Sequence, residues 1–499
     1  DRSKNYYQGW GMQYSMGEIP YYVYEFFKKG IEDGNNYYSL SQTRSRSAAF
    51  FANATYSYKG RYTVNGTARY EGTNRMGKSR SARWLPTWNV SGAWNAHEEK
   101  FFSNLTSVLS HFTLKASYSL TADRGPADVT NSQAIITSYS PYRPFTSIQE
   151  SGLYIKELEN SELTYEKKHE LNIGADMGFL NNRINLAVDW YKRNNYDLIG
   201  IVNTQGAGGQ ILKYANIASM KSHGIEFTLS TKNIKTKDFN WNTDFIFSNA
   251  KNEVTDLKQN ANVMELISGN GFAKQGYPVR GLFSIPFVGL DKDGIPVIIN
   301  EKGEATSTDI NFQERQNTGF LKYEGPTDPT ITGSLGNMFS YKGFRLNLFI
   351  TYSFGNVIRL NPVFKAYYSD LTAMTREFKN RWTLPGDEAK TNVPAILSKR
   401  MYDSNEDLKY AYNAYNYSTE RIAKGDFIRL KEISLAYDFP KAWINPLKLT
   451  DLSLKVQATN LFLIYADDKL NGQDPEFFNA GGVASPVPRQ FTITLRLGL

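Results

Sequence analysis

Phe344-Arg-Leu-Asn-Leu-Phe-Ile-Thr-Tyr-Ser-Phe354 sets Phe344, Leu346, Leu348, Ile350, Tyr352 and Phe354 on one parity, against Arg345, Asn347, Thr351 and Ser353 on the other, where Phe349 is the one apolar residue. Successive side chains of a strand point to opposite faces, so a strand with one apolar face reads with period two. The tripeptide Tyr341-Lys-Gly343 in front of it is a tight-turn signal.

The same alternation recurs outward in both directions. Tyr62, Val64, Gly66, Ala68 and Tyr70 oppose Thr63, Asn65, Thr67 and Arg69. Phe112 to Leu120, Leu171 to Phe179, Ile184 to Trp190 and Phe239 to Phe247 repeat it. Leu452 to Ala458 and Phe491 to Leu499 close the series. The chain holds about thirteen such segments, with a further candidate near Tyr7 to Tyr14.

A half-buried soluble sheet alternates in the same way, so the links carry the decision. Short ones fall at 59–60, 181–182, 233–238, 341–343 and 440–448. Long ones fall between them, at 71–82, 122–163, 198–213, 257–327, 357–424 and 466–487. One link, 97–109, stands in a short position but is longer; its Phe101, Phe102, Leu105, Val108 and Leu109 predict a small amphipathic helix. Short turns at one end and long loops at the other are the pattern of an up-and-down barrel in an outer membrane. Compact soluble domains seldom hold structureless loops of such length. The expected fold is therefore all-β, an antiparallel transmembrane β-barrel with long extracellular loops and short periplasmic turns.

Composition agrees. Only 41% of the 499 residues are hydrophobic while 14% are aromatic, with 33 Tyr and 30 Phe. A wall with one wet and one lipid-covered face divides its residues in this way. Tyr56, Tyr58, Tyr62, Tyr70, Trp84, Trp88, Trp94, Trp190, Tyr191, Tyr352 and Tyr437 fall near strand ends or on apolar faces, where interface girdles stand. No run approaches the ~18 apolar residues of a membrane-spanning helix. The charge of +8 is spread among acids along the whole chain, so a solvated surface, not nucleic acid, accounts for it.

Enzymatic chemistry finds no foothold. Cysteine is absent, which excludes disulfides and thiolate catalysis. His97, His111, His169 and His223 stand in different segments without a second ligand at metal spacing, so neither a metal nor a cofactor is expected. Gly206-Ala-Gly-Gly209 lacks the spacing of a phosphate loop and reads as a flexible turn. Asp291-Lys-Asp293-Gly294 begins like a calcium loop but lacks the later oxygen ligands, and reads as a hairpin turn.

Four groups of residues, in order along the chain, carry a family resemblance. The first is Phe51-Ala-Asn-Ala-Thr-Tyr-Ser-Tyr-Lys-Gly-Arg-Tyr62, leading to Trp84-Leu-Pro-Thr-Trp88 and Trp94. The second is Tyr165-Glu-Lys-Lys-His-Glu-Leu171, and the third Asn380-Arg-Trp-Thr-Leu-Pro-Gly-Asp387. The fourth runs from Gly425-Asp-Phe-Ile-Arg429 through Asn460-Leu461-Phe462 to Asp474-Pro-Glu476 and Pro488-Arg489. Together they resemble the SusC-type (RagA-like) TonB-dependent transporters of Bacteroidota outer membranes.

That resemblance implies a barrel of twenty-two strands around a plug, of which residues 1–499 supply about thirteen or fourteen. No plug domain or TonB box is recognisable, so the chain is expected to be the C-terminal part of the barrel, with plug and N-terminal strands outside it. It ends in Leu499, where such barrels usually finish in an aromatic residue. The implied partners are a SusD-type lipoprotein lid, TonB, the lipid bilayer, and an oligosaccharide or peptide cargo. Tyr367, Tyr368 and Trp382, in the loop 357–424, are the expected cargo-stacking residues, with a structural anchor the rival role for Trp382. A passive outer-membrane pore and a soluble glycan-binding β-protein are the alternatives.

Overall fold

A computed structural model describes residues 2–8, 29, 38–125, 134–139, 152–203, 212–310, 317–363, 374–478 and 488–498. Thirteen strands form one sheet: β1 Ser47–Tyr58, β2 Tyr62–Thr73, β3 Trp84–Asn95, β4 Leu109–Asp123, β5 Glu166–Phe179, β6 Ile184–Asn203, β7 Leu212–Lys235, β8 Phe239–Leu257, β9 Ile331–Tyr341, β10 Phe344–Phe354, β11 Phe427–Asp438, β12 Asp451–Ala466 and β13 Gln490–Gly498. Their spatial order is their chain order, every ladder joining consecutive strands antiparallel. The links therefore alternate between two ends. Those at 59–61, 96–108, 180–183, 236–238, 342–343 and 439–450 share one end; those at 74–83, 124–165, 204–211, 258–330, 355–426 and 467–489 share the other. A separate two-stranded hairpin, Arg2–Gln8 with Tyr38–Arg44, reaches into the segment read near Tyr7.

Turn chemistry explains the tight end. Lys59 and Gly60 (φ 52° and 68°), and Lys342 and Gly343 (43° and 91°), are both left-handed pairs. Two successive positive-φ residues match the right-handed twist of the strands they join, and glycine takes such a φ without strain.

Register then aligns the alternating residues into rows. Tyr58, Tyr62, Trp94, Leu114, Ala175, Val188, Phe227 and Phe247 lie side by side from β1 to β8. Trp241, Phe339, Leu346, Leu435, Val456 and Ile493 do the same from β8 to β13. The opposite face runs Thr63, Ala93, Lys115, Gly174, Asp189, Glu226, Ser248, Thr332 and Ser353. Among the described residues no second sheet covers the apolar face: Val64 is 54% exposed, Leu435 48% and Phe491 75%. An uncovered apolar face of this extent suits lipid and not water.

Two local expectations are corrected. Residues 96–108 form 3-10 turns, Ala96–Glu98 and Lys100–Asn104, instead of an amphipathic helix. Polar side chains there bond to nearby carbonyls, Ser103 Oγ to Lys100 O (2.9 Å) and Thr106 Oγ1 to Ser103 O (2.9 Å), which competes with helix propagation. Tyr191 is not a girdle residue: it is buried on the polar face beside Gly224, under the Arg193 guanidinium (4.0 Å to the ring centroid).

One glycine in the wall is fixed by a close approach. Tyr352 lies across Gly333, its hydroxyl donating to Ile246 O (2.8 Å), and a Cβ at Gly333 would collide with both. We expect Gly333→Ala to destabilise the wall by about 1–3 kcal/mol. Gly66→Ala, with open space around it, should stay within about 0.5 kcal/mol. Denaturant midpoints in detergent check both, and equal shifts would refute the packing argument.

Candidate functional site

The two longest links do not stay loops. Residues 258–330 contribute α1 (Val263–Ile267), the paired strands Gly281–Ser284 and Lys322–Pro326, and a three-stranded sheet from Phe287 to Thr306. Residues 355–426 contribute α2 (Glu406–Asn416) and the pair Val357–Arg359 with Ile422–Lys424. Asn262 and Glu265 cap α1 reciprocally, and Asn405 caps α2. Val263, Leu266, Ile267, Phe283, Ile285, Ile298, Ile310 and Leu321 pack with Ala411 and Ala414 of α2 in one core. Ile285 N donates to Tyr417 O (3.0 Å) and Thr419 N to Ile285 O (3.0 Å), a bridge between the links. The result is a folded cap at the long-link end of the wall.

Two buried arginines hold it. Arg359 donates from Nε to Ile267 O (2.9 Å), from NH1 to Ser418 O (3.3 Å), and from NH2 to Phe283 O (2.6 Å) and Ser284 Oγ (3.0 Å). Burial lowers its pKa to about 10, against the pull of Glu324. Arg421, 1% exposed at the side chain, forks onto Glu377 (2.7 and 2.8 Å) and Asn361 O (2.6 Å). Burial opposes its charge, but the Glu377 carboxylate wins and raises its pKa. In sequence both look like any loop arginine, and no local signal separates them.

Residues 3–461 match the family model described as "TonB dependent receptor-like, beta-barrel". The chain belongs to that family. Its barrels stand in the Gram-negative outer membrane, and the uncovered apolar face of β1–β13 is a TonB-dependent receptor's lipid face, the polar face its lumen. Among curated relatives, the TonB-dependent receptor SusC of Bacteroides thetaiotaomicron is 26% identical, over 95% of this chain and 47% of its own. TonB-dependent receptor P3 of Formosa agariphila is 25% identical, over 85% of this chain and 41% of its own. The chain thus spans about half the length of the curated relatives it matches. The solved RagAB peptide importer in its open-open state aligns with a TM-score of 0.74 at 22% identity, covering 93% of this chain and 47% of that one, which shows a shared fold.

Of the three aromatic residues expected to stack on cargo, Tyr367 and Tyr368 lie outside the described residues. Trp382 is half-buried in the cap. Its indole Nε1 donates to Glu388 (2.9 Å), its amide to Val393 O (2.9 Å), and its ring leaves no room for a Cβ at Gly294. The Leu384 amide (3.0 Å) and the Thr383 hydroxyl (2.9 Å) bond Asp387, lowering its pKa as the Trp382 indole lowers that of Glu388. The Trp-Thr-Leu-Pro-Gly-Asp motif is therefore one stapled turn of this TonB-dependent receptor.

Other motif residues also meet. Arg429, on the lumen face, pairs with Asp474 (2.5 Å) and Glu476 (3.3 Å), and Tyr165 donates to Arg83 O (3.2 Å). Asp291 accepts from the amides of Asp293 and Ile295 (2.9 Å each) and forms the expected hairpin turn. His97 and His111 stack at 4.3 Å, a contact their spacing in sequence did not reveal. Among the described residues no group of three His, Asp or Glu side chains is arranged to hold a metal.

Proposed function

We propose that residues 1–499 form the C-terminal part of the wall and the outer cap of a TonB-dependent importer of the SusC type in the outer membrane. The observation that supports it most is the pairing of an unbroken lipid face with a folded cap at the long-link end. Plug and N-terminal strands then come from sequence outside these residues. In keeping with that, the edge strands β1 and β13 do not pair with each other among the described residues. A SusD-type lipoprotein rests on the cap, TonB acts through the plug, and the cargo is an oligosaccharide or a peptide. SusC among the relatives and the RagAB peptide importer among the structures support that assignment.

The test uses the full-length protein in its host. Uptake is expected to stop when the inner-membrane proton gradient is dissipated, and a surface lipoprotein to co-purify in detergent. Uptake that survives the loss of the gradient would establish a passive pore. Release from membranes without detergent would establish a soluble protein.

We further propose that the uncovered part of the Trp382 ring meets cargo. Trp382→Ala should then raise the half-saturating cargo concentration about three- to tenfold, the worth of one aromatic contact. Trp382→Phe should do so less. Proteolysis of the cap, run in parallel, separates this from simple loosening of the turn.

A further inference from the structure

Above the apolar band, the membrane-facing side of β6, β7 and β8 carries a row of basic side chains. Lys192 lies directly opposite His223, and His223 directly opposite Lys251. All three are exposed. They share parity with Trp190, Ile225 and Phe247, and no register shift intervenes between those residues and the row. The row therefore continues the lipid face one step toward the long-link end. With strands ~4.8 Å apart, the two ammonium stems are rooted about 10 Å from each other.

Several charges nearby are matched. On the lumen face Lys115 pairs with Asp176 (2.7 Å), Lys168 with Glu170 (2.8 Å) and Arg193 with Glu170 (3.1 Å). On the membrane-facing side, the next step up holds Lys221, paired with Glu253 (3.0 Å). Among the described residues Lys192, His223 and Lys251 have no carboxylate partner. Two ammonium groups rooted about 10 Å apart, with no carboxylate between them, leave a positive potential that an anion from outside neutralises.

We propose that Lys192, His223 and Lys251 form a docking surface for the negatively charged phosphate headgroup of an outer-leaflet lipid. The inference rests on the membrane-wall reading above. What selects a lipid over a free anion is the surface below the row. Trp190 and Ile225 stand one step below Lys192 and His223, and Phe247 stands two steps below Lys251, beyond Asn249. These rings and this aliphatic chain form the apolar surface along which an acyl chain lies while the headgroup sits on the ammonium groups. A free phosphate would use the cations and leave the apolar surface unused.

The test is native mass spectrometry of the full-length protein in neutral detergent, with phosphatidylglycerol, phosphatidylcholine and inorganic phosphate as the three probes. Phosphatidylglycerol is expected to bind most tightly. Each lysine contributes about fivefold, so Lys192→Gln with Lys251→Gln weakens it about twenty-five-fold toward the phosphatidylcholine value. Lys192→Arg with Lys251→Arg keeps the charge and should keep the binding, which guards against a glutamine variant that merely misfolds. Equal phosphatidylglycerol binding by wild type and the glutamine variant overturns the inference. Inorganic phosphate binding as tightly as the lipid overturns the lipid assignment. A protein that needs detergent for extraction yet shows no lipid preference sinks only this inference; one that leaves membranes without detergent sinks the wall reading as well.

Discussion

Arg359→Ala is expected to unfold the cap while the wall stays intact. The substitution removes the guanidinium donors from Ile267 O, Phe283 O and Ser284 Oγ, and leaves Ser418 O with the Arg421 amide alone (3.0 Å), in a place where Arg359 is only 8% exposed. Buried acceptors left without donors cost about 1–3 kcal/mol each, and some regain water, so a net loss on the order of 3–5 kcal/mol follows. Limited proteolysis should then cut within 258–330 and 355–426, while the unheated, folded electrophoretic band of the barrel persists. Lysine should not rescue, because one ammonium on a flexible stem cannot reproduce a planar fork aimed at three carbonyls. Arg421→Ala should behave alike, leaving Glu377 without its fork. An unchanged cleavage pattern would show that the cap core alone holds the two links together.

A charge on the lipid face should do more harm than the same charge one residue away. Leu348 lies in the row that continues through Ile433, Ala458 and Phe491. Leu348→Arg places a guanidinium near the middle of the apolar band, at about 2–4 kcal/mol. Asn347, its neighbour on the lumen face, donates to Glu432 (3.4 Å), so Asn347→Arg meets water and a carboxylate and should change stability by less than about 1 kcal/mol. The readout is the amount of folded, heat-modifiable protein in outer membranes. Equal losses from both substitutions would mean that the apolar face does not meet lipid.

The wall was legible because its signal is local. Alternation in Phe344–Phe354 needs only neighbours in sequence, and the turn at Lys342-Gly343 fixes register without knowledge of the rest. The cap was not legible for the opposite reason. Leu408, Ala411, Tyr412 and Tyr415 repeat at helical spacing in α2, a signal present in sequence, but the surface that buries them comes partly from the other long link, across β9 and β10. Arg359 and Arg421 gave no cue, since burial and partners decide their roles and neither is written nearby. Trp382 stood out by residue type. Its partners Glu388 and Gly294 show it holding a turn, one of them close in sequence and one far away.

The meander also sets the order in which the molecule assembles. Each of the twelve ladders of β1–β13 links strands adjacent in the chain, so each closes a loop no longer than the link between them. Closure entropy grows with loop length, and pairings near in sequence form before those that span whole strands. The core shared by α1 and α2 requires β9 and β10 to be in place first, for the cap halves hang from strands on either side of that hairpin. The cap is therefore the last part of this region to fold, and a chain stalled during insertion exposes its apolar core to proteases on the cell surface.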